Sequence, residues 1–481
     1  MPKYLIKEAI YLELNRKKEL FERVPVSKAL KTMAIPTVIS QLISLIYNVV
    51  DTFFIGRTGN SYMLASVTLS FTVFMMTTAF SNLYGIGGGS LIARLSGRQE
   101  DAQARKVSAF SFYGAVGIAV FYSIVIGLFM EPILNFLGAS PDTLDFAKQY
   151  VLLVVVCGNL PIILSLTLAH LLRNVGYSRQ ASLGLSGGGI LNIALDPLFM
   201  FVLLPEGMEV FGAALATLIA NVVSCVYLLL VVKKVSRVAP LSLSVRDIGG
   251  IRRQDIRSLY AVGVPSAVLT GLFDVANMFL NALMAAHGDL DLAAIGIVMK
   301  AERLPNAINI GICQGMLPIV AYNYSSGNHS RMNDTIRTAR YSGLAITAFS
   351  VLFFELLASP IVHIFMSTSA GNVEQSLSTI ALGVAFLRIR CLASPVQFMN
   401  YHTSFCMQAM GNGKGTLLHA IVRELIFYIP FMYLLDALFG KTGLACALIA
   451  GETCGAIFAM ILLKRSLSAP RENRANEQHR I

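Results

Sequence analysis

Asp51, Asn192 and Asp196 are the residues whose types and spacing could most directly do chemistry. All three sit in long apolar stretches. A carboxylate inside a bilayer costs at least about 2.5–3.5 kcal/mol, so its presence there marks function. Asp196 falls within ILNIALDPLF, and Asn192 lies one helical turn earlier on the same face. Pro197 has no N–H and leaves the carbonyl of Ile193 without its helical donor. A carboxylate, an amide and a free carbonyl close together can hold a proton or bind Na⁺. At 1.5 Å per residue, Asp51 lies roughly 30 Å from the start of its span and Asp196 roughly 21 Å, so the two can share one site. The competing reading is that one of them caps a kinked or ending helix.

Polar stripes accompany these carboxylates. The first span carries Thr37, Gln41, Ser44, Asn48 and Asp51, with Tyr47 beside them. The seventh carries Ser266, Thr270, Asp274, Asn277 and Asn281. At 100° per residue each set falls within an arc of about 80°. Such stripes either tie helices together by hydrogen bonds or wall a polar cavity. A third group lies at mid-depth in the second half: Lys300, Glu302, Arg303, Arg388, Arg390, Arg423 and Glu424. Unpaired charges there would be prohibitively costly. One reading is an ion-pair network, such as Glu302–Arg388 and Arg423–Glu424. The other is a basic pocket for an anionic or zwitterionic group, lined by Glu302, Arg303 and Arg388. His170, His402 and His419 show no ligand spacing and read as structural.

The elements that must position these residues are membrane helices. The chain has 481 residues, 55% hydrophobic and only 14% charged, with a mean hydropathy of +0.65. A soluble protein carries about 25% charged residues, so an ordinary soluble enzyme, a disordered chain and a coiled coil are excluded. About twelve spans of roughly 20 residues fit the apolar segments. Net charge is +11, but the excess sits in short loops, so it implies topology rather than nucleic acid. Lys and Arg are concentrated on one side: 8 in residues 1–31, 7 in 233–257 and 5 in 464–481, against Arg57, Lys148 and Lys441 on the other. That bias puts both termini in the cytoplasm of a multi-pass protein of the cell membrane. The seven Cys all lie in apolar stretches without a CxxC pair, so no disulfide or zinc framework is expected. The expected organisation is an amphipathic segment 1–25, a first lobe 26–232, a cytoplasmic linker 233–257, a second lobe 258–465 and a tail 466–481.

The two lobes resemble each other. Pro36 matches Pro265, Gly85 matches Gly315, Gly97 matches Gly327, Gly176 matches Gly411 and Gly212 matches Gly443, at offsets of 229 to 235 residues. Each half has an even number of spans, so the repeat is parallel, about an axis along the membrane normal. Repeated halves around a midplane cleft suit alternating access. No HExxH or acidic metal cluster occurs, so an enzyme is not expected.

Over roughly residues 26–465 the chain resembles the multidrug and toxic compound extrusion (MATE) family, in its bacterial and archaeal drug-exporter branch. The resemblance rests on IPTVISQLISLIYNVVDTFFIGRTG, SNLYGIGGGSLIARLSG with its counterpart GICQGMLPIVAYNYSSG, HLLRNVGYSRQASLGLSGGGILNIALDPLF and GAALATLIANVV. It implies an all-α protein of twelve transmembrane helices in two pseudo-symmetric six-helix lobes forming a V. It implies that Asp51, Asn192 and Asp196 are the first-lobe coupling site, with transported H⁺ or Na⁺ and no other cofactor. It makes Pro36 the bend of the first helix, to which Pro197 adds a second hinge. Gln41, Ser44, Tyr47, Asn48, Thr270, Asp274 and Asn277 are then expected to line the substrate cleft. The expected activity is export of amphipathic, mainly cationic organic compounds in exchange for H⁺ or Na⁺, by a monomer in contact with membrane lipid. The alternative is an exporter or flippase of an anionic or zwitterionic metabolite or lipid-linked headgroup, since Lys300, Arg303, Arg388 and Arg390 depart from the family pattern.

Overall fold

In a membrane, every backbone N–H and C=O must be paired within the protein, and a long apolar segment achieves this only as a helix. The computed structural model describes residues 19–366 and 373–468, and among these it contains helices, turns and loops but no strand. Residues 1–18 of the expected amphipathic segment and residues 469–481 of the expected tail lie outside the described residues.

The first lobe comprises α1 (Val26–Gly56), α2 (Ser61–Gly97), α3 (Asp101–Leu128), α4, α5 (Ser178–Leu203) and α6 (Glu209–Val235). α4 is two arms, Pro141–Cys157 and Asn159–Asn174, bent by 49°. The second lobe comprises α7 (Arg253–His287), α8 (Asp289–Ser325), α9 (His329–Met366), α10, α11 and α12. α10 is likewise bent, by 46°, between Leu377–Cys391 and Ser394–Met410. The remaining 56 residues, Gly413–Ser468, are one helical run, but roughly 84 Å of helix at 1.5 Å per residue is far too long for one crossing. Gly440 at φ +58 breaks it into α11 and α12. The two arms fold back on each other, with Gly451 against Tyr428 and Gly455 against Arg423.

Local chemistry sets the boundaries. Asn60 caps α2 by accepting from the backbone N of Tyr62 at 3.0 Å, and Asn412 caps α11 by accepting from Gly415 N at 2.9 Å. Gly176 and Gly411, partners in the repeat, end α4 and α10 at φ +88 and +80, where a side chain would be strained. α1 runs unbroken through Pro36. The linker is shorter than expected, because α6 continues to Val235 and α7 begins at Arg253. It belongs to the first lobe: the α3 residues Arg105 and Tyr113 donate to the carbonyls of Ser236 and Leu243, at 2.8 and 3.0 Å.

The lobes meet through α1 and α2 on one side and α7 and α8 on the other. A Cβ on Gly311 would stand 2.7 Å from Val38 Cα, and one on Gly315 would stand 2.5 Å from Ala34 Cα. Gly87 approaches Leu259 and Gly263 as closely. Ser90 Oγ donates to the carbonyl of Gln408 at 2.6 Å, and the Tyr84 and Tyr260 hydroxyls are 3.1 Å apart. All these approaches lie toward the end of the bundle from which α1 starts and at which α12 finishes. Nearer the opposite end, the polar stripes of α1 and α7 are only half-buried. The lobes thus form a V, closed at the end carrying the described termini.

Candidate functional site

Asp51, Asn192 and Asp196 come together inside the first lobe. α1 reaches α5 because Gly189 has no side chain: a Cβ there would stand 3.0 Å from Ile43 and 3.1 Å from Tyr47. Asp196 is fully buried and Asp51 is 8% exposed. Asn192 Nδ2 donates to Asp196 Oδ1 at 3.1 Å and to Thr217 Oγ1, on α6, at 3.3 Å. Asp51 Oδ1, Asp196 Oδ2 and Asn192 Oδ1 have no hydrogen-bond partner in the protein. Both carboxylates are close enough to interact electrostatically with each other, with Tyr47 and with Tyr150 of α4. Four helices therefore converge on a pocket with three oxygens that have no partner within the protein. A buried acceptor costs about 1–3 kcal/mol when left alone. Thr217 and Tyr150 were not among the expected residues.

The cleft between the lobes holds the polar stripes. Gln41, Ser44, Tyr47 and Asn48 run along α1, each half-buried. Opposite, Thr270 Oγ1 accepts from Asn82 of α2 at 3.1 Å. Asp274 and Asn277 continue up α7, half-buried. Asp274 interacts with Arg303 of α8. The Arg303 guanidinium lies over the ring of Phe71, on α2 of the other lobe, 5.4 Å from its centroid, in cation–π range. Lys300, one turn earlier, is exposed.

The other mid-depth charges do not join this cleft as expected. Glu302 pairs with Arg390 rather than Arg388, through two hydrogen bonds of 2.7 and 2.9 Å. Arg388 is exposed on α10 and lies 3.7 Å from Glu355 of α9, so the structure does not gather it with Asp274 and Arg303. Residues 388 and 390 are about 200° apart on a helix, and only one can face the core. Arg423 does lie 3.5 Å from Glu424, but its closer partner is Glu452 on α12, bound through two hydrogen bonds of 2.9 and 2.5 Å. Of the three histidines, His402 bonds the carbonyl of Ile336 and His419 bonds Ser404 and Asn400. His170 packs against Gly85.

Comparison with known proteins shows the family and the fold. The profile of one family, MatE, matches residues 36–198 and 265–434, one stretch per lobe, starting at the repeat partners Pro36 and Pro265. The multidrug export protein MepA of Staphylococcus saprophyticus is 28% identical over 444 residues, covering 92% of this chain and 94% of that protein. MepA of Staphylococcus aureus strain MRSA252 is 28% identical over 443 residues, with the same coverage. Among solved structures, a MATE in complex with MaL6 superposes with a TM-score of 0.87 at 24% identity, over 94% of this chain and 98% of that one. A multidrug resistance MATE family transporter in an outward-facing conformation gives 0.86 at 24% identity, over 94% and 97%.

Proposed function

The chain belongs to the MatE family of membrane transporters, and from that premise we propose that it exports amphipathic organic compounds, cationic ones foremost, in exchange for H⁺ or Na⁺. The observation that carries this is the first-lobe pocket, where two buried carboxylates and an amide keep unsatisfied oxygens next to the stripe of α1. Both MepA relatives are multidrug export proteins by name. Ion binding would neutralise Asp51 and Asp196, let α1 bend near Pro36 and squeeze substrate from the cleft. Inward movement of one positive charge across 100 mV supplies about 2.3 kcal/mol, enough for roughly a fiftyfold gradient. The Lys and Arg bias supports a cytoplasmic position for the closed end of the V. The open end then faces outward, poised to take up the ion. One chain carries the whole cleft, and a buried apolar cluster joins its two lobes, which supports action as a monomer.

The test is efflux of a cationic dye from inverted vesicles, with pH and Na⁺ gradients imposed separately. Dye should follow one gradient in wild type and stop in Asp196→Asn. Dye movement indifferent to both gradients would sink the antiport reading. A second reading, export of an anionic or zwitterionic compound, draws on Arg303, which reaches Asp274 and Phe71 of the facing lobe and has Lys300 close by. Arg303→Gln should then abolish transport of an anionic substrate while sparing the cationic dye.

A further inference from the structure

The second lobe contains a buried polar network that the export reading does not use. Arg423 is 2% exposed, Glu424 1% and Glu452 4%. The Arg423 guanidinium holds Glu452 by Nε at 2.9 Å and Nη2 at 2.5 Å. It touches Glu424 only as a charge, Nε to Oε1 at 3.5 Å, and Glu424 Oε1 accepts no hydrogen bond. Asn400 of α10 donates to Glu452 Oε2 at 2.6 Å and to the Glu452 carbonyl at 2.9 Å. Its own oxygen faces His419 Nε2 at 2.9 Å, and His419 Nδ1 meets Ser404 Oγ at 2.8 Å.

Counting charge decides what this network lacks. The groups facing Glu424 are Arg423 and Tyr428 on α11, Tyr401 on α10 and Glu452 on α12. Tyr401 of α10 lies under the Arg423 guanidinium. The neighbouring Arg390–Glu302 pair is neutral as a unit. Two carboxylates thus share one guanidinium, and one negative charge is left over in a region where uncompensated charge is not tolerated. A metal cation does not solve this, because the guanidinium already stands between the carboxylates and would repel it. A proton needs no space. It has two places to go, a carboxylate or His419. His419 Nδ1 already has the Ser404 hydroxyl as partner, whereas Glu424 Oε1 has no donor at all.

We propose that Glu424 and Glu452, gathered on Arg423, hold one exchangeable proton inside the second lobe. Hydronium gives its proton to a carboxylate oxygen: one O–H bond forms on the carboxyl, one breaks in hydronium, and a water molecule is left. The hydrogen-bonded chain Glu452–Asn400–His419–Ser404 leads from the site toward the closed end of the V. The site also has a place in the repeat. At the offset relating Gly212 to Gly443, 231 residues, Asn221 of α6 corresponds to Glu452. One residue more relates Asn192 of the first-lobe pocket to Glu424. Equivalent helices of the two lobes would each carry an ion.

The experiment is infrared difference spectroscopy between acid and alkaline buffer, on the full chain in lipid nanodiscs. Wild type, Glu424→Gln, Glu452→Gln and Asp196→Asn are compared. The expected result is that one component of the protonated-carboxyl band disappears in Glu424→Gln, Glu452→Gln or both, and survives in Asp196→Asn. Wild type should also take up one proton more than the altered second-lobe variant. A band unchanged in both glutamine variants would overturn the proposal, as would protonation seen only on an imidazole. An amide copies the shape of a protonated acid, so failure of both variants to fold would show that both carboxylates must be charged, which overturns it too. No transport is read, so this outcome is independent of the export test.

Discussion

Asn192 is the hinge of the first-lobe pocket's chemistry, because one NH₂ group serves both Asp196 and Thr217. A hydrogen bond to a charged group is worth about 1.5–3 kcal/mol, or roughly ten- to a hundredfold in an equilibrium. Asn192→Ala should therefore lower the initial rate of dye efflux at least about tenfold, normalised to protein in the membrane. Thr217→Val touches the carboxylate only through Asn192 and should cost a few-fold. Equal losses in the two would show that Asn192 does not act through Asp196. The core of this pocket was legible in the sequence, since the spacing of Asn192 and Asp196 fixes a shared face and Asp51 lies at a compatible depth. Thr217 and Tyr150 were not. Each stands in a segment with no local sign of the pocket and reaches it only through packing of α4 and α6. Glu452 was missed for the same reason: AGETCG does not announce an arginine partner on another helix.

At the scale of elements, glycine decides where helices touch. Gly263 of α7 faces the carbonyl of Leu83 so closely that any side chain must push α7 off α2, whereas Gly271, two turns further up α7, has nothing within 4 Å. Overpacking such a contact costs about 1–3 kcal/mol. Glycine in an open helical position costs about 0.5–1 kcal/mol relative to alanine. Gly263→Val should thus lower the thermal midpoint of the purified protein by several degrees, while Gly271→Ala should leave it unchanged or raise it. A midpoint insensitive to Gly263→Val would show that the lobes do not rely on this contact. The twelve apolar runs and their repeat were readable because membrane helices announce themselves by length and hydropathy. The matching bends of α4 and α10 were not, since neither carries its own sequence signal strong enough to separate a bent span from a straight one. Nor was the phase of α10, which turns Arg390 inward and Arg388 out.

For the whole molecule, the question is what holds the V closed at one end yet lets it open. Much of the contact there is helix against helix, but one feature is a strap. Residues 19–24, just before α1, belong to the first lobe in sequence but are bound by the second. Arg331 of α9 donates to the carbonyls of Phe21, Val24 and Leu20, at 2.6, 2.6 and 3.1 Å. Asn323 Nδ2 donates to the Phe21 carbonyl at 3.0 Å, and the Tyr322 hydroxyl donates to Glu22 at 2.5 Å. Phe21 stacks on Tyr322 with ring centroids 5.3 Å apart. An alternating-access cycle must part α2 from α8 at this end, and the strap then either releases or drags the start of α1 with the second lobe. Either way its bonds weigh on the equilibrium between the two states. Loss of about 2 kcal/mol would raise the population open at this end roughly thirtyfold. Arg331→Gln should therefore add a longer component to the distance distribution between spin labels at positions 98 and 326, the caps of α2 and α8. Wild type should show mainly the short one. A distribution unchanged by Arg331→Gln would mean that the strap rides passively on the second lobe and that the glycine contacts alone set the closure.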